Sequence, residues 1–93
     1  MRFDIAQKNL NLLTAMRRLG YSPSRKGDSF IRRAGSGEFP RFHIYIDDHG
    51  DKWQCKIHLD QKGACYTNHT AHSGDYDGDV LQIEKERITN LLR

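Results

Sequence analysis

Three observations in the 93-residue sequence predict an α+β fold. Residues 53–60 alternate apolar and polar side chains, residues 39–47 do the same, and apolar residues recur at helical spacing towards both ends. The predicted order is αβββα, an antiparallel three-stranded meander in a two-layer sandwich with both helices on one sheet face. At this length the chain is expected to form one domain, residues 1–93.

The first helix is expected from about Asp4 to Leu19, where Ile5, Leu12, Leu13, Met16 and Leu19 form an apolar stripe. Asp4 would cap its start and Gly20 would supply the left-handed stop. Residues 21–24 read as a connector, because Pro23 pushes Ser22 out of helical geometry. Asp28–Ala34 reads as an edge strand, and Gly35–Ser36–Gly37–Glu38 as the following hairpin loop. In the strand Phe39–Asp47, Phe42, Ile44 and Ile46 point one way while Arg41, His43 and Tyr45 point the other.

A turn over residues 47–51 follows, then a strand in which Trp53, Cys55, Ile57 and Leu59 face the core and Gln54, Lys56, His58 and Asp60 do not. A turn centred on His49–Gly50 would set Ile46 opposite Trp53, Arg41 opposite His58 and His43 opposite Lys56, with His43 diagonal to His58. Ala64–Thr67 is a short fourth strand in this reading. The last helix is expected from near Asp77 to Leu92, with Val80, Leu81, Glu84, Ile88, Leu91 and Leu92 as its stripe and Asp75, Asp77 and Asp79 at its electropositive end.

Composition narrows the function classes. No apolar run approaches a membrane span, and Met1–Arg2–Phe3–Asp4 lacks the order of a secretory signal, so a cytoplasmic chain without a membrane partner is expected. Cys55 falls on the apolar side of its strand, where a free thiol serves as a small hydrophobe, and no structural disulfide is expected. The net charge of +3 is unevenly spread: residues 1–46 carry nine Lys/Arg against three acids, and residues 47–93 six against nine. A basic region in the first half suits contacts with phosphate.

Candidate site residues lie on the polar sheet face. Arg32, Arg33, Arg41, Tyr45 and Lys56 are the expected nucleic-acid contacts, with Tyr45 stacking on a base and the cations on phosphates. His43 and His58 are candidate catalytic residues, since one histidine can take a ribose hydroxyl proton while another protonates the leaving oxygen. His58 and Asp60, with His69 and His72 at an H-x-x-H spacing, form a candidate metal set for zinc or another divalent ion; no cofactor is firmly implied. Asp75–Tyr76–Asp77–Gly78–Asp79 imitates the opening of a calcium loop, but Val80 occupies the position where that loop needs glycine.

Leu19–Gly20–Tyr21 and Arg25–Lys26–Gly27 ahead of a strand, in an αβββα order, resemble the small HicA-type toxins over roughly residues 10–60. The resemblance implies a fold like that of double-stranded RNA-binding domains, and a ribonuclease relying on the histidine of a Gly-Ser-His element. Here Gly27 is followed by Asp28, Ser29 and Phe30, so that histidine is absent. The leading expectation is a nucleic-acid-interacting module, RNA above all. The alternatives are a metal-dependent hydrolase or nuclease and a protein-binding module of the inhibitor or antitoxin kind.

Overall fold

The computed structural model describes residues 1–6, 10–61, 74–75 and 78–92. Its elements are β1 (Arg2–Ala6), α1 (Leu12–Arg18), β2 (Ser22–Pro23), β3 (Phe30–Arg33), β4 (Arg41–Asp48), β5 (Lys52–Asp60), β6 (Gly74–Asp75) and α2 (Asp79–Leu91). The class is α+β, but the architecture is a five-stranded antiparallel open sheet of order β1-β5-β4-β3-β2, with the short β6 also on β5, rather than a three-strand meander.

The largest departure is at the amino-terminal end. Residues 2–6 form a strand beside β5, with Phe3 opposite Cys55 and Ile5 opposite Trp53, not the start of a helix. Phe3 and Ile5 alternate with polar Arg2 and Asp4, and pairing with the edge of β5 buries both apolar side chains while it satisfies the backbone. Asp4 is therefore a strand residue. The cap of α1 is Asn11, whose Oδ1 accepts the Thr14 backbone N–H at 3.1 Å. The stop at Gly20 holds: its φ is +89°, and the bonds Gly20 N to Arg17 O and Tyr21 N to Met16 O close the helix as a Schellman motif.

Within the connector, Ser22–Pro23 pairs with Phe30–Ile31, so β3 lies inside the sheet and not at its edge. The β4–β5 hairpin also turns one residue later than expected. His49 N bonds to Lys52 O at 2.9 Å, and Gly50 at φ +90° accepts the conformation the turn needs. Moving the turn centre by one residue moves the register by two, which leaves the faces unchanged but replaces every partner. Ile46 thus pairs with Cys55, Ile44 with Ile57, Arg41 with Asp60, Tyr45 with Lys56, and His43 directly with His58.

One face of the sheet carries the core. Phe3, Ile5, Phe42, Ile44, Trp53, Cys55, Ile57 and Leu59 are buried together with Ala15 and Met16 of α1 and Leu81 and Ile88 of α2. Both helices thus cover the same face, as expected. Cys55 is a free thiol whose pKa burial pushes up to about 12, in keeping with a packing role. The buried stripe of α2 is Leu81, Glu84, Ile88 and Leu92, while Val80 and Leu91, expected in it, are 50% and 57% exposed. The fourth strand expected over Ala64–Thr67, together with His69, His72 and Asp77, lies outside the described residues. None of the described helices is long and apolar enough to cross a membrane.

Candidate functional site

The face turned away from the helices gathers its chemistry around one carboxylate. Asp60, the last residue of β5, is paired with Arg41, and the pairs His43–His58 and Tyr45–Lys56 project on the same side of the sheet. Asp60 Oδ1 accepts His58 Nε2–H at 2.7 Å; Asp60 Oδ2 accepts His43 Nδ1–H at 3.1 Å and Arg41 Nε–H at 3.3 Å. Burial raises the Asp60 pKa, but the hydrogen bond from His58, the charges of both histidines and the bond from Arg41 outweigh it. The net effect holds Asp60 below the usual carboxylate range.

An ionised carboxylate only accepts, so Nδ1 of His43 carries the proton it shares with Asp60. The pKa of His43 is lowered, chiefly by burial, which favours the neutral ring and outweighs the charge of Asp60. In that tautomer Nε2 is an acceptor, and Ser29 Oγ stands 2.6 Å from it. Ser29 Oγ also lies 2.9 Å from Ser24 Oγ and 3.2 Å from Asp28 Oδ1. A hydroxyl has one proton, and the nearest of these acceptors, a nitrogen that cannot donate, takes it.

The rings form a tier. His43 stacks on Tyr45 with centroids 4.7 Å apart and planes 24° apart, and His58 lies 5.0 Å from His43 and 6.0 Å from Tyr45. Tyr45 is the most open of the three, 37% exposed. Lys56 stands opposite it in the ladder, and Arg2 stands opposite Lys56 on the far side. Beside the tier a cleft of about 440 Å³ is lined by Arg25, Lys26 and Arg41 as well as by Ser29, His43 and Tyr45.

The structure brings Arg41, His43, Tyr45, Lys56, His58 and Asp60 onto one surface, and Arg33, opposite Arg41, shares it. Arg32 does not: it faces the helix layer, where its Nη1 lies 3.4 Å from Glu84 Oε1. His43, His58 and Asp60 have ligand atoms within 4.8 Å of one another and can hold a metal ion. That grouping replaces part of the expected set, with His43 entering where His69 and His72 lie outside the described residues. Ser29 is the site residue that sequence reasoning misses. Its parity places it on the face of Ile31 and Arg33, but that is visible only once the β3–β4 register is known.

Comparison with protein-family models, with curated proteins and with solved structures yields no match.

Proposed function

We propose that the open sheet face binds single-stranded RNA. The observation that carries this reading is the aromatic tier of Tyr45, His43 and His58, flanked by Arg41 on one side and by Lys56 and Arg2 on the other. An exposed ring beside cations is the arrangement on which unpaired bases stack while phosphates are neutralised, and it demands less geometry than catalysis does. Arg33, Arg25 and Lys26 extend the cationic track toward β3.

Fluorescence anisotropy with a labelled single-stranded RNA tests the reading. Affinity should fall steeply with salt, and Lys56→Ala should flatten the slope of log K against log salt by about 0.7, the share of one neutralised phosphate on a single strand. Tyr45→Ala should cost about 1–3 kcal/mol of binding through weaker stacking. No detectable binding at low salt would remove the reading.

A second reading rests on the proximity of His43, His58 and Asp60, a nitrogen- and oxygen-donor set suited to zinc. Arg41 contributes a positive charge against it, 3.3 Å from the carboxylate a metal would need. Zinc added to the protein should raise its melting temperature, and His58→Ala should abolish the rise. An unchanged melting temperature would eliminate this reading and leave RNA binding untouched.

A further inference from the structure

Both ring nitrogens of His43 are engaged. Nδ1 faces Asp60 at 3.1 Å and Nε2 faces Ser29 Oγ at 2.6 Å, so His43 has no nitrogen left to take a proton from a substrate directly. The proton it is placed to accept is that of Ser29. A hydroxyl hydrogen-bonded to an imidazole whose other nitrogen is oriented by a carboxylate is the nucleophile–base–orienter series of acyl and phosphoryl transfer. Here the three members come from three places: the residue just before β3, the middle of β4 and the end of β5. They are joined only by tertiary pairing.

We propose that Ser29 is an activated nucleophile, with His43 its general base and Asp60 the residue that positions the imidazole. The group attacked is a phosphate ester. Ser29, only 2% exposed, borders the cleft with Arg25, Lys26 and Arg41, three cations against Asp28 and Glu38 among the described lining residues, and guanidinium groups match phosphate oxygens in pairs. The choice of a phosphodiester within that class rests on the RNA reading; the nucleophile itself does not.

The step balances without a further reactant other than water. Ser29 Oγ forms a bond to phosphorus as its proton passes to His43 Nε2, and the bond to the leaving alcohol breaks, that oxygen taking the proton back from Nε2. Water then attacks the phosphoserine and gives a proton to His43, which returns it to Ser29 Oγ as the phosphate leaves. Arg41, which shares the cleft wall with Ser29, supplies a positive charge that would stabilise the developing charge on the phosphoryl oxygens.

A fluorophosphonate, whose tetrahedral phosphorus loses fluoride to an activated serine, is the probe. Incubated with wild-type protein in the presence of EDTA, it should add one phosphonyl group, and peptide mass spectrometry should place it on Ser29 and not on Ser24 or Ser22. His43→Gln should slow the addition by about a hundredfold or more, the span general-base assistance supplies. Asp60→Asn should slow it as well, with circular dichroism confirming that both variants remain folded. The site assignment needs only wild-type protein, so a Ser29→Ala variant that fails to fold would not obstruct the test. An unmodified Ser29, or an addition rate indifferent to His43→Gln, would overturn the proposal. RNA binding is measured separately, so absence of labelling with binding intact refutes the nucleophile alone, and labelling without binding refutes the RNA reading alone.

Discussion

Asp60 and Glu84 stand on opposite faces of the same sheet, and each collects several hydrogen-bond donors. Glu84, only 3% exposed, accepts Tyr21 Oη–H at 2.7 Å and two N–H groups of Arg87 at 2.8 and 2.9 Å, with Arg32 3.4 Å away. Arg87 also donates to Leu19 O at 2.7 Å, tying α2 to the end of α1. Burial and the neighbouring Glu84 push the Tyr21 pKa far up, so its hydroxyl keeps its proton under ordinary conditions. Asp60 instead collects two histidines and an arginine on the face the helices leave open. The two clusters use similar bonds, but only the second contains imidazole rings, which can both give and take a proton. One cluster fastens a helix, and the other is equipped for chemistry.

The sharpest test of that contrast is Glu84→Ala. It leaves the Tyr21 hydroxyl without its acceptor and the Arg87 charge without its carboxylate, with Leu19 O still accepting from the guanidinium, and should cost about 3–5 kcal/mol of stability in urea unfolding. Asp60→Asn should cost no more than about 1 kcal/mol, because the open face lets water take the place of the protein partners. Equal losses would collapse the distinction. Ile57→Ala, at a fully buried position under the helices, should cost about 2–5 kcal/mol, whereas Gln54→Ala on the exposed side should change stability by less than about 0.5 kcal/mol.

Tyr21→Phe comes next. It removes one donor to Glu84 while Arg87 remains, so about 1–2 kcal/mol should be lost. A neutral outcome would mean that the arginine alone satisfies the carboxylate.

The smallest expected effect is the pH dependence of the open-face cluster. The folded pKa of His43 lies below its ordinary 6.5, so between the two values the unfolded chain binds more protons. The associated stability is fully present above pH 6.5 and is lost as the pH falls from 6.5 toward the folded value. Asp60, lowered from 3.8, adds a second loss of the same sign as the pH drops below 3.8. Urea unfolding between pH 3 and 8 should therefore show stability declining in two acid steps; an increase on going below pH 6.5 would reverse the His43 assignment. Because the Asp60 charge raises the His43 pKa, Asp60→Asn should lower it further, which proton NMR of the imidazole would register.

The face assignment of the two central strands was legible from residue order alone. Alternation in Phe42, Ile44, Trp53, Cys55, Ile57 and Leu59 admits one inward side, because exposing that row to water would forfeit its burial. The last helix and the stop at Gly20 were legible for similarly local reasons, since a stripe and a left-handed residue act within a few positions. Tertiary structure decided the rest. Phe3 and Ile5 carry too short an alternation to outweigh a helical stripe, and only pairing with the edge of β5 makes them a strand. The loop between β3 and β4 and the turn at Gly50 set which residues face each other, and a side-chain pattern of period two cannot tell a register from one shifted by two. That ambiguity decided whether His43 meets Lys56 or His58. Ser29, His43 and Asp60 are separated by 14 and 17 positions, and only strand pairing across those distances brings them within hydrogen-bond reach.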